Sequence, residues 1–246
     1  MRHHDDPVDR LLRAAGSVRD PAIRVGVARE VLASLSPADL ADLMTSLLVT
    51  VEARQPEHGD VLLVVSVALA DPTMLAPRAE AALVAATRGQ IEVARLLAQD
   101  RSGDDQEPGR VPDFGGARPL TLGERKTLAR TSDRRLILKA LRDPHPDVIR
   151  ILLKNPRLIE DDVVRLAATR PIDPSILLAV FTDLRWVLRY RVRRTLVYNP
   201  HTPLDVALQL ALNLNDQDLR AVSDSKSLRA ELRDLTKRML ADVEVN

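Results

Sequence analysis

Apolar positions in the first hundred residues recur at intervals of three and four, and Pro, Asp and Ser divide them into blocks. This period of about 3.6 predicts helices over residues 21–35, 37–54, 60–70 and 77–99, with a shorter one over 8–15. Two starts are signalled locally. Asp20-Pro21 and Ser36-Pro37 each place an oxygen acceptor at the cap position and a proline at the first helical position, where its missing N–H costs nothing. Period-two alternation is nearly absent and no Asn-Gly or Asp-Gly turn occurs, so no strand is expected. The longest apolar run, VLLVVSVALA at residues 61–70, is interrupted only by Ser66. A membrane span needs about 20 such residues, so this run reads as a buried helix and no membrane partner is expected.

The pattern then stops. Residues 101–120 hold four of the nine glycines and three prolines with little apolar periodicity, which marks a flexible linker. Beyond it the pattern repeats. VIRILLKNP at 148–156 and VRRTLVYNP at 192–200 share five of nine positions at an offset of 44 residues, including Asn155-Pro156 and Asn199-Pro200. With one residue deleted, Asp162-Val163 falls on Asp205-Val206. In each copy a helix should end at the Asn, because a residue before proline is disfavoured in the α region. A second helix should then begin, aided by Glu160-Asp161-Asp162 in one copy and Thr202-Pro203 in the other. A helix pair on either side of Asn-Pro has the size of a HEAT or armadillo unit, about 40–47 residues. Residues 122–130 and 133–141 form an incomplete unit before these, and 225–243 a terminal helix. The expected fold is therefore all-α: a helical bundle over 1–100, a linker over 101–120 and HEAT-like helical repeats, an α-solenoid, over 121–246.

Composition narrows the chemistry. Apolar residues are 45% of the chain, but there are only two Phe, two Tyr and one Trp, a poor supply for an aromatic-lined ligand pocket. Cysteine is absent, which removes disulfides, thiolate metal sites and cysteine nucleophiles. The polar start MRHHDDPVDR lacks the apolar segment of a secretory signal, so a cytoplasmic location is expected. No phosphate-binding glycine loop occurs, since Gly115-Gly116 lacks a following Lys-Ser/Thr, and no serine stands in a nucleophile context. His3, His4, Asp5 and Asp6 read as a polar terminus, and His145 and His201 as turn or cap residues without a second ligand at metal spacing. No enzyme activity, metal or cofactor is expected.

Charge changes the picture more. The net +1 hides −5 over residues 1–120 and +6 over 121–246. RWVLRYRVRRTLVYNP, residues 185–200, gathers five arginines, the only Trp and both Tyr. Drawn as one helix, it has two apolar strips, Leu188/Val192/Leu196 and Trp186/Tyr190/Val197, with Arg189 and Arg193 between them and Arg191 and Arg194 beyond. That arrangement suits a helix packed between neighbours whose arginines pair with acids or cap carbonyls. Phosphate binding by Arg185, Arg189, Arg193 and Arg150, or an acidic protein surface, are the functional alternatives. Trp186, Arg189, Tyr190, Arg193 and Tyr198 have no counterpart in the earlier copy, so with Arg185 they are the candidate binding residues.

LGERKTLAR, LRDPHPDVIRILLKNPRLIEDDVVRLAATRP and RWVLRYRVRRTLVYNPHTPLDVALQLAL, in that order, resemble a family of bacterial helical-repeat proteins related to HEAT repeats and the leucine-rich-repeat variant. The resemblance covers about residues 120–240 and implies an α-solenoid without known catalytic residues. The expected function is a non-enzymatic scaffold or adaptor whose repeat surface binds another protein. Nucleic-acid binding by the basic repeats is the alternative.

Overall fold

The computed structural model describes residues 11, 18–52, 56–100, 111–115 and 118–244. The expected helix over 8–15 (Leu11 apart), the His3–Asp6 cluster and most of the expected linker lie outside the described residues. Among the described residues there are fifteen α-helices, one 3-10 turn and no strand, so the fold is all-α. The chain forms two compact units: Met1–Asp100 with Leu204–Asn246, and Arg101–Pro203.

The first unit begins with α1 (Pro21–Ala33), α2 (Pro37–Glu52) and α3 (Pro56–Leu69). The caps act as their residue types predict. Asp20 accepts from the Ala22 N–H at 2.8 Å, and Ser36 Oγ accepts from the Asp39 N–H at 3.2 Å while donating to its carboxylate. Every residue from Val61 to Leu69 is buried, as the unbroken apolar run requires, and α3 packs against α1 and α2. No single helix is long and apolar enough to cross a membrane among the described residues. After a 3-10 turn at Pro72–Met74, capped by Asp71, come α4 (Leu75–Thr87) and α5 (Ile91–Leu97). The sequence pattern predicts one helix over 77–99, and the structure divides it at Gly89. Gly89 has φ +74°, and the bonds Gln90 N–H to Ala85 O and Gly89 N–H to Ala86 O close a Schellman turn.

The last part of the chain completes this unit. Helices α13 (Leu204–Ala211), α14 (Asp216–Asp224) and α15 (Ala230–Glu244) follow, and α13 packs against α3, α5 and α15. The sequence expectation runs the repeats on to 246, whereas the stretch from Leu204 clusters with residues 1–100. Polar side chains account for this. Arg78 of α4, 4% exposed, donates to the Leu97 carbonyl at 2.6 Å and to the Asp205 carboxylate, itself 4% exposed. Gln209 donates to Leu96 O at 2.7 Å, and Asp100 accepts from the Leu204 N–H and from Arg229, each at 2.8 Å. Thr202, expected to cap α13, instead donates to Leu196 O at 2.6 Å, and Asp100 caps the helix.

The second unit contains α6 (Leu122–Leu128), α7 (Arg134–Ala140), α8 (Pro146–Leu153), α9 (Glu160–Ala168), α10 (Pro174–Thr182), α11 (Leu184–Val187) and α12 (Tyr190–Tyr198). Helices α6, α7 and α8 pack on one another, as do α9, α10 and α12, and α8 meets α10 between the two sets. Each set is closed by the repeated asparagine. Asn155 Nδ2 donates to Ala129 O and Thr131 O at 2.9 and 2.8 Å, and Asn199 Nδ2 to Ala167 O and Thr169 O at 2.8 and 2.9 Å. In both, Oδ1 accepts the N–H two residues on. The side chain at the end of the third helix thus ties down the corner between the first and second. The sequence reading puts Asn-Pro in the middle of a two-helix unit. The hydrogen bonds reach back by more than twenty residues, so Asn-Pro closes a three-helix unit instead.

Candidate functional site

The expected single helix over 185–198 is also two. Asp183 Oδ1 accepts from the Arg185 N–H at 3.0 Å to start α11, and α12 starts afresh at Arg189, whose φ/ψ of −84°/122° is extended. The two apolar strips drawn for a continuous helix therefore do not exist as such.

Trp186 is 1% exposed, and its Nε1 donates to Leu153 O at 2.9 Å. It is a core residue, not part of an exposed surface. The Arg185 guanidinium stacks over its ring at 4.3 Å and donates to Asn155 O and Leu158 O, both at 2.9 Å. Two adjacent side chains thereby serve three carbonyls at and beyond the end of α8, where helix geometry leaves acceptors unfilled. Arg193 does the same for α11, donating to Val187 O at 3.2 Å and Leu188 O at 2.9 Å, and lies 5.7 Å from the Tyr190 ring. Arg189 bonds Glu160 at 3.0 Å and lies 5.5 Å from the Trp186 ring, while Arg191 bonds Asp161 at 2.7 Å. Tyr190 and Tyr198 are half-buried; Tyr198 lies beneath Arg194 at 5.3 Å, and its carbonyl accepts from Arg170.

The six candidates thus lie in one neighbourhood, but the arginines are bound into it. Arg150 and Arg194, equivalent in the alignment, differ in role: Arg150 bonds Asp147 in its own helix at 2.7 Å, and Arg194 covers Tyr198. His145 caps α8 through Nδ1, which accepts from the Asp147 N–H at 3.2 Å. Among the described residues no three His, Cys, Asp or Glu side chains gather as a metal site.

The repeated carboxylate has a shared role that spacing alone does not show. Asp162 is fully buried, takes Arg134 of α7 in a two-pronged pair and accepts from the Ile159 N–H at 3.1 Å. Burial pushes its carboxyl up, but the Arg134 guanidinium and the Ile159 N–H outweigh this and hold it below the usual range. Asp205, which aligns with Asp162 in the sequence, is also buried on an arginine, Arg78. The second helix of the set before Asp205 begins with Pro174 where α7 begins with Arg134, so it offers no arginine there. Asp183 behaves oppositely: burial raises its carboxyl, against the Arg185 N–H and the charges of Arg185 and Lys154.

Sequence reasoning misses two surface features. Ile159 and Leu188 are 52% and 40% exposed within this arginine-rich neighbourhood. Arg135 and Lys139 of α7 and Arg142 in the turn after it are exposed and form no ion pair among the described residues. Their spacing of four and then three is legible as a basic helical face. No family model, curated protein or solved structure matches this chain.

Proposed function

We propose that this chain is a non-enzymatic cytoplasmic scaffold, a bacterial helical-repeat protein of HEAT-like or leucine-rich-repeat-variant kind, whose second unit binds another protein. The observation that carries this reading is the internal bracing of that unit. Two three-helix sets are each closed by a buried asparagine, and four arginines are held in place by carbonyls or carboxylates. Stacking of such sets in a solenoid yields a surface whose side chains are already ordered, which lowers the entropy cost of association. The test is affinity purification of the intact tagged chain from nuclease-treated extract, followed by reconstitution of any captured protein with purified chain. Direct saturable binding of the purified pair supports the reading; loss of every partner on nuclease treatment overturns it.

A second reading, nucleic-acid binding, is favoured by a specific observation. Residues 118–203 carry 18 Lys/Arg against 9 Asp/Glu. All nine carboxylates are engaged locally. Glu124, Asp143, Asp147, Glu160, Asp161 and Asp162 pair with Arg or Lys, and Asp133, Asp173 and Asp183 cap helices. The second unit as a whole carries +7 and the first −6. Titration of labelled duplex DNA at low and moderate salt tests it. Phosphate binding predicts affinity that falls by orders of magnitude with salt and that weakens when Arg135, Lys139 and Arg142 become Ala. No binding at low salt removes this reading.

A further inference from the structure

We infer that the strip between Arg185 and Arg189 docks an acidic protein segment that carries apolar anchors. This rests on the protein-binding reading above and names the chemistry of the partner.

The strip is defined by two cross-links between chain segments. Arg185 donates to Leu158 O at 2.9 Å, and Arg189 bonds the Glu160 carboxylate at 3.0 Å, so residues 158–160 and 185–189 are tied at both ends. Ile159 is the middle residue of the first segment, and Leu188 lies between the two arginines in the second. Both are exposed, at 52% and 40%, although neighbouring Leu158, Trp186 and Val187 are buried. Exposed aliphatic side chains on two segments that are bonded to each other are the kind of feature that a partner's apolar side chains cover, since their solvent exposure is a cost of the unbound state.

The surroundings set the sign of the partner. Arg157 lies in the chain between Asn155 and Leu158, the two residues whose carbonyls hold Arg185, and is exposed. Lys154, also exposed, is near enough to Asp183 for its charge to act on that carboxylate. Residues 154–161 and 183–191, which carry the strip, hold Lys154, Arg157, Arg185, Arg189 and Arg191 against Glu160, Asp161 and Asp183, five positive charges against three negative. A flanking positive field with an apolar centre complements a segment rich in Asp and Glu with Leu or Phe among them. Phosphate fits this strip less well. A nucleic-acid backbone has no use for Ile159 and Leu188, whereas the leucines of an acidic protein segment cover them.

Trp186, the only tryptophan, sits beneath Arg185 and supplies an intrinsic reporter. The experiment titrates the intact chain with a dye-labelled synthetic peptide, mostly Glu and Asp with two leucines one helical turn apart. Trp186 emission and peptide anisotropy are followed together at low salt. The expected result is saturable binding seen by both signals, weakened about tenfold or more by Ile159→Asp with Leu188→Asp and, less steeply, by Ile159→Ser with Leu188→Ser. The same peptide with its leucines replaced by serine binds wild type about as weakly as the Asp pair does. Both substitutions are at exposed positions, and circular dichroism checks that the fold persists. Equal affinity of wild type and both variants overturns the strip as the docking surface while leaving protein binding in place elsewhere. Absence of peptide binding in either signal, together with tight, salt-sensitive binding of duplex DNA by the same chain, overturns both this inference and the protein-binding reading.

Discussion

Asn155 and Asn199 show how much a single side chain can organise. Each donates twice to carbonyls of a preceding helix corner and accepts once from its own turn, and each is at most 3% exposed. Alanine at either position would leave two carbonyls without these donors in a buried setting, an expected loss of about 1–3 kcal/mol. Urea denaturation of Asn155→Ala, Asn199→Ala and the double variant checks this, with near-additive losses expected because the two bind separate corners. A carboxylate also accepts but cannot donate, so Asn155→Asp should cost more than Asn155→Ala. Acid sensitivity belongs to this scale too. Asp71 is lowered to about 2 by the Thr73 hydroxyl and N–H and by Arg29, and Glu124 to about 2 by Arg118 and Thr121. A carboxyl depressed in the folded state binds fewer protons there than when unfolded, so its contribution is complete above the unfolded value near 4 and is lost as pH falls towards 2. Urea midpoints should therefore hold steady between pH 7 and 5 and drop between pH 4 and 2, with part of that drop missing in Asp71→Asn.

At the scale of elements, what could be read in advance was whatever the chain encodes within a few residues. Asp20-Pro21 and Ser36-Pro37 announce α1 and α2, and the apolar run at 61–70 announces a helix buried on all sides. Two breaks escape the periodic pattern for different reasons. At Gly89 the apolar spacing continues through the turn, and only the backbone freedom of glycine distinguishes the site. An added Cβ there would meet no atom within 4 Å, so Gly89→Ala pays only for the left-handed backbone, about 1 kcal/mol, measurable as a lowered melting temperature. At Arg189 no capping side chain marks the start of α12, so neither composition nor spacing reveals that the helix restarts. The match of Asn199-Pro200 to Asn155-Pro156 was legible, and the two asparagines make equivalent hydrogen bonds. The burial pattern of the arginine-rich stretch was not, because a tryptophan beside arginines suits a core and a surface equally well until the acceptors, Leu153 O, Asn155 O and Leu158 O, are placed around it.

At the scale of the whole chain, the first unit is assembled from segments more than a hundred residues apart, and among the described residues Arg78 with Asp205 is its most deeply buried ion pair across that gap. Nothing local in either residue's context announces the other. Arg78→Met strands a buried carboxylate and should cost about 3–5 kcal/mol, whereas Arg78→Met with Asp205→Leu should recover much of the loss. Equal unfolding free energies for the single and double variants would contradict this. Limited proteolysis gives a second readout, because a weakened seam should expose α13–α15 to cleavage before the helices of the second unit.

The same division of the first unit has a consequence in time. A ribosome makes about 5–20 residues per second. The 103 residues from Arg101 to Pro203 must be made before α13 exists, which keeps α3 and α5 without their closing helix for about 5–20 seconds. Meanwhile the second unit, whose asparagine clamps reach back only 24 to 32 residues, can close as it emerges. The middle of the chain is then finished before its beginning, and the wholly apolar stretch from Val61 to Val65 is the segment most in need of chaperone cover during the wait.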